Sequence, residues 1–152
     1  MLMRRLPKAL LSVGAVIVAA QLVRFAPTNP PVEGDLTAPA EIKGILRRAC
    51  YDCHSHETAW PWYSQIAPLS WLIHHDVNQG RQRLNFSQWS DYASDPGTAS
   101  EKLRQIARRV ASGDMAPLYY RILHRSTRLT AAQRDALVGW AEHEAANQES
   151  SQ

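Results

Sequence analysis

The sequence predicts a small, single-domain all-α protein preceded by an N-terminal hydrophobic helix. Three observations carry that reading. Apolar residues between 40 and 146 recur at helical spacing. Thr98-Ala99-Ser100-Glu101 and Thr130-Ala131-Ala132-Gln133 have the form of a capping box, the reciprocal hydrogen-bonding device that opens a helix. No run of alternating β-branched residues occurs anywhere in the 152 residues.

Residues 1–26 have the layout of a signal peptide or signal anchor. Arg4, Arg5 and Lys8 form a positive front, Ala9 to Val23 is largely apolar, and Arg24 is the only further charge before Glu33. A spanning helix needs about 20 residues, so the run is short unless it extends to Ala26. Val18-Ala19-Ala20 offers small residues for cleavage, yet apolar character continues through Leu22, Val23 and Phe25, which favours an uncleaved anchor. Positive charge ahead of the run and little just behind it place the N-terminus in the cytoplasm and the bulk of the chain outside. The expected location is therefore the periplasmic side of a bacterial inner membrane, tethered there or released to the periplasm if cleaved.

The leader also accounts for the net charge of +3 and the pI near 9.1. Four of the 17 Lys and Arg residues precede Pro27 and all 14 acidic residues follow it, so the remainder holds 13 basic against 14 acidic groups, a net −1. The basic balance gives no support to nucleic-acid binding.

Residues 27–39, with Pro27, Pro30, Pro31 and Pro39, cannot continue a helix and read as a stiff, extended linker. Residues 40–146 are enough for one compact domain. Ala40 to Ala49 carries Ile42, Ile45 and Leu46 on one face. Pro68 to Gly80 places Leu69, Leu72, Ile73 and Val77 at helical spacing, with Gly80 where a helix would stop. Asn85 to Trp89 resembles a capped start. The box at Thr98 opens a helix with Leu103, Ile106, Ala107 and Val110 on one face, ending near Gly113. The box at Thr130 opens the last, with Ala136, Leu137 and Trp140 on its apolar side, and residues 147–152 are expected to be a disordered tail.

Both cysteines lie in Cys50-Tyr51-Asp52-Cys53-His54, and C-x-x-C-H is the attachment signature of a c-type haem. Two thiols that add to the vinyl groups on one porphyrin edge must sit about one helical turn apart, and the next residue then offers its imidazole to the iron. A dithiol redox pair or half of a zinc site are the alternatives. With only two cysteines, a closed zinc site would need two further ligands from histidines or carboxylates, and a thioredoxin-type pair is expected beside a βαβ pattern. The fold expectation sharpens to a cytochrome c-like helical domain around one covalent haem c.

The sixth iron position needs a ligand. Met1 and Met3 lie in the leader, so Met115, in a loop between Gly113 and Pro117, is the expected distal ligand opposite His54. His74 or His75 is the substitute if ligation is bis-histidine. Trp60, Trp62 and Tyr63, just after the attachment site, are expected in the haem pocket, where indole N–H and phenol O–H groups suit propionates. The carbonyl of Pro61 or Pro68 is expected to accept the His54 ring N–H.

The runs Cys50 to Ser55, Trp60-Pro61-Trp62-Tyr63, Ile66 to Ile73, Asp76-Val77 and Arg83 to Ser87 resemble the bacterial haem-binding domain family, small exported proteins related to c-type cytochromes. Family members have a hydrophobic N-terminus, an Asn-Pro-Pro linker, matched by Asn29-Pro30-Pro31, and a late Gly-x-Met-Pro-Pro element. Here that element is Gly113-Asp114-Met115-Ala116-Pro117, with Ala116 in place of one proline. The resemblance covers nearly the whole chain and implies covalent haem at Cys50 and Cys53 with His54 as proximal ligand. The function expected is non-enzymatic single-electron transfer, with unknown redox partner proteins. The rivals are a haem sensor or peroxidase-like enzyme with an open or His-ligated sixth position, in which His74 or Arg81 would activate a ligand, and a haem-free dithiol or metal protein.

Overall fold

The structure, a computed structural model, describes residues 6–150, and among them eight helices and no β-strand. In chain order the helices are α1 (Leu6–Ala20), α2 (Ala40–Ala49), α3 (Tyr51–His54), α4 (Leu69–Arg83), α5 (Trp89–Ala93), α6 (Pro96–Ala111), α7 (Leu118–Leu123) and α8 (Ala131–Ser150). Arg4, Arg5, Met1 and Met3 at one end and Ser151 and Gln152 at the other lie outside the described residues.

α6 and α8 form the central pair. The α6 stripe is the expected one, Leu103, Ile106, Ala107 and Val110, all buried. On α8 the buried set is Leu137, Ala141 and Ala145, whereas Ala136 is exposed and Trp140 only partly covered. A helix that presents alanines to its neighbour brings the two backbones close, and that approach selects the small-residue row over the Trp140 side. Ile42, Ile45 and Leu46 of α2, Tyr51, Phe86 and Trp89 complete the core.

Several boundaries differ from the sequence expectation. α6 is capped by Asp95, not Thr98: the Asp95 carboxylate accepts from the amides of Gly97 and Thr98 at 3.3 and 3.1 Å, and Pro96 occupies the first helical position. The second box forms as read, since the Thr130 amide donates to Gln133 Oε1 at 3.1 Å and the Gln133 amide to Thr130 Oγ1 at 3.2 Å. The chain is helical through residues 147–150 instead of frayed. There Glu149 takes a two-pronged ion pair from Arg104 of α6, which ties the last turn to the central pair.

Residues 27–39 are extended but are not a free tether. The amides of Glu33 and Gly34 donate to the Ser87 carbonyl at 3.0 and 3.1 Å, that of Leu36 to Phe86 at 3.1 Å, and Leu36 itself is buried. The segment is a strap across the domain. Ahead of it, α1 is an exposed apolar helix of 15 residues. At 1.5 Å per residue it is about 22 Å long against a hydrocarbon core of about 30 Å, and among the described residues no helix is long and apolar enough to cross a membrane.

α4 departs most from its pattern. It runs through Gly80 to Arg83 and buries Ser70, His74, Val77 and Gly80, while Leu69 and Leu72 face outward. Trp71 is 37% exposed, and its indole donates to the Val23 carbonyl at 3.1 Å. The small residues of α4 turn inward because α3 lies directly against this helix.

Candidate functional site

The motif folds as a single helical turn. The amides of Cys53 and His54 both donate to the Cys50 carbonyl, at 3.2 and 2.9 Å, which sets the two cysteines three residues apart on one side of the turn. Its exit is fastened by the hydrogen bond from the Phe86 amide to the His54 carbonyl at 2.7 Å and by Ser55 Oγ donating to the Tyr51 carbonyl at 2.8 Å. Arg81 closes the next step, with Nε donating to the Ser55 carbonyl at 2.8 Å and its other nitrogens to Thr28, Asn29 and Thr58. His56 is held between the Pro31 carbonyl and the side chain of Asn85 at 2.7 and 2.8 Å. The strap therefore braces the motif as well as the core.

Gly80 explains the fit of α4 to this turn. A Cβ built there would lie 2.3 Å from the Cys53 carbonyl oxygen, so only glycine allows the two backbones to meet. The approach delivers the Gly80 carbonyl to the ring of His54. Nδ1 lies 3.0 Å from Gly80 O and 3.0 Å from Leu84 O, two acceptors that fix the ring proton on Nδ1 and leave the lone pair on Nε2. The acceptor expected from Pro61 or Pro68 is thus corrected to Gly80 and Leu84, because α4 continues past its glycine. Desolvation holds the imidazole below its ordinary pKa; the two carbonyl hydrogen bonds oppose that shift and the charge of Arg83 adds to it. At neutral pH the ring is neutral, the form that ligates a metal.

Cys50, Cys53 and His54 line one open cavity together with the loop Met115-Ala116-Pro117 and with Ile106 and Val110 of α6. The loop begins at Gly113, whose φ of 75° and amide bond to Val110 O at 3.2 Å end α6 in a left-handed turn. That turn carries Met115 to the cavity. Arg83, Gln105, Arg109 and Tyr120 complete its polar edge. Tyr120, whose hydroxyl donates to Asp52 at 2.6 Å, lies in no motif or stripe that would mark it along the chain. Ile106 and Val110 belong to the apolar stripe of α6, which serves both core and cavity wall.

The aromatic residues just after the motif, Trp60, Trp62 and Tyr63, lie outside the lining of this cavity. Trp60 stacks on His74 with centroids 4.7 Å apart and donates to Asn29 at 3.2 Å, Trp62 is 76% exposed, and neither lines the cavity. Tyr63 lines a neighbouring apolar cavity that shares Asp52 and Cys53 with the first, and its hydroxyl bonds to His124. The chain turns away after Thr58 because the strap and α4 hold Trp60. His74 and His75 do not line the main cavity either, and Arg81 is consumed by the strap, so the distal roles weighed for them have no geometric support.

Both cysteines carry free thiols, and burial, which dominates, pushes each up to about 12. Such raised values are the reverse of the depressed ones that activate the nucleophile of a reactive dithiol. Among the described residues no cluster of three or more His, Cys, Asp or Glu is arranged for a bare metal ion. The residues do fit a haem: two thiols on one turn, a neutral imidazole with Nε2 unbonded, a thioether lining the same cavity, and a largely apolar lining that includes two arginines.

An all-helical domain with this donor set around one cavity defines a haem-binding class of protein. A family model described as a haem-binding domain matches residues 15–143, and the chain belongs to that family and binds haem. No curated protein and no solved structure matched the chain.

Proposed function

We propose that the protein binds one haem c covalently through Cys50 and Cys53, with His54 and Met115 as axial ligands, and serves single-electron transfer on the periplasmic side of the inner membrane. The observation that carries this reading is the convergence of all four residues on one cavity. When bound, the haem supplies a one-electron iron couple. The chain supplies the rest. Gly80 and Leu84 orient the His54 ring and raise its basicity toward the iron. Met115 offers a soft ligand that favours the reduced metal. Ile106 and Val110 give the cavity an apolar wall, and Arg83 and Arg109 would offer cations to haem propionates. The fold is then a cytochrome c-like one in function as well as in helical content. α1, with its charged front, attaches the domain to the membrane.

The test is an absorption spectrum of protein co-expressed with the haem-attachment machinery, with a pyridine haemochrome assay for thioether linkage. A c-type haemochrome is expected, and its absence ends the covalent reading. Met115→Ala should open the sixth position, so that the reduced variant binds carbon monoxide while the wild type resists it. Rapid carbon monoxide binding by the wild type would favour the sensor or peroxidase-like alternative.

A further inference from the structure

Met115 and Val110 also line a second, polar pocket, to which three separate stretches of the chain each bring an arginine. Arg121 comes from α7, Arg128 from the segment that follows the 3₁₀ turn Arg125–Thr127, and Arg134 from the first turn of α8. Among the described residues no acidic side chain lines this pocket. On α6, by contrast, Arg104, Arg108 and Arg109 each meet a carboxylate. Arg121, Arg128 and Arg134 enter no ion pair among the described residues.

Two further contacts define the cluster. Arg128 Nε donates to the Arg121 carbonyl at 3.0 Å, which holds the two residues side by side. The Nε of Arg121 is shut off from solvent and has no hydrogen-bond partner. A buried charged donor left without an acceptor is costly, and three like charges brought to one pocket repel one another. An anion among them relieves both. The number of donors selects its class. A carboxylate has a single charge and two oxygens, which suit one guanidinium fork. A phosphate monoester carries about −1.5 to −2 at neutral pH and presents three strong acceptor oxygens, so it can accept from three forks at once.

We infer that Arg121, Arg128 and Arg134 form a binding site for an oxyanion of the phosphate class, free or as the end group of a phosphomonoester. The bound anion joins α7, which buries none of its residues, to the long helix α8. The site is distinct from the cavity of the Cys50–His54 motif and shares with it only Val110 and Met115.

The test is equilibrium dialysis of the full-length holoprotein against radiolabelled inorganic phosphate, with glycerol 3-phosphate as competitor and the ionic strength held constant with sodium chloride, so that general screening does not change. One saturable site per chain is expected. Arg128→Gln and Arg121→Gln should each weaken binding by about tenfold or more, the loss of a charged hydrogen bond, with helical circular dichroism unchanged. Arg125→Gln, exposed and outside the pocket, should bind as the wild type does. Glycerol 3-phosphate that competes better than unlabelled phosphate would mark the ligand as the end group of a larger molecule, and the reverse order would mark the free ion; either supports the site. Absence of saturable binding, or equal weakening by Arg125→Gln and Arg128→Gln, would overturn it. Absence of binding together with altered haem absorption in Arg121→Gln and Arg134→Gln would also overturn it, and would give the arginines to haem propionates instead.

Discussion

Gly80→Ala isolates the contact on which the orientation of His54 depends. In a helix interior this change ordinarily stabilises by about 1 kcal/mol, because glycine loses more backbone entropy than alanine. At Gly80 the new methyl would stand 2.3 Å from the Cys53 carbonyl oxygen and 2.9 Å from its carbon, where ordinary contact begins at 3.4 Å. The atoms to be displaced are backbone atoms of the motif itself, fastened by Phe86 and Ser55. Opening the contact by about 1 Å is an overpacking problem of about 1–3 kcal/mol or more, which outweighs the propensity gain. The variant should be less stable than the wild type in a urea titration followed by helical circular dichroism, with an unchanged slope. It should also shift the reduction potential, since the Gly80 carbonyl moves away from the His54 ring. Gly139→Ala is the internal control: its Cβ meets nothing within 4 Å, so it should stabilise by about 1 kcal/mol. If Gly80→Ala behaved like Gly139→Ala, stabilising and leaving the potential unchanged, the close approach of α4 to the motif would be refuted.

Arg83 lines the cavity and has no side-chain partner among the described residues. Arg83→Gln should lower the reduction potential by an amount on the order of tens of millivolts, because a nearby cation favours the less positive iron; redox titration checks it. His56→Ala should destabilise by about 1–3 kcal/mol in denaturant, because it leaves one of the two N–H groups of the buried Asn85 amide unpaired while Gln88 keeps the other, and should speed proteolysis of the strap after Pro31. Asp35 reports on the strap through pH. Burial raises its pKa, but hydrogen bonds from Lys43 and Tyr51 and the charges of Lys43 and Arg47 outweigh it, so the folded value lies below the ordinary 3.8. The stability it contributes is therefore present above pH 3.8 and lost as pH falls from there through the lower folded value. Asp35→Asn should flatten that part of the acid-unfolding profile.

What was legible in the sequence was what depends on neighbours along the chain. C-x-x-C-H closes within one turn, the Thr130 box caps its own helix, and the α6 stripe is set by helical periodicity, so each could be read locally. Residue scarcity did the same for Met115, since no other methionine follows the leader. What was not legible depends on chain segments far apart. Gly80 was read as a stop because glycine usually ends helices, but here it is a contact residue, and only the placement of Cys53 against it reveals this. The same approach turned Leu69 and Leu72 outward and drew Trp60 onto His74, so the aromatic run beside the motif left the cavity to Tyr120 and two arginines. One helix-to-turn contact thus decides three things at once: which carbonyls hold His54, which side chains wall the cavity, and which leucines of α4 stay exposed. Periodicity along α4 cannot encode it, because the choice between burying leucines and burying a glycine row is made by the backbone across the gap.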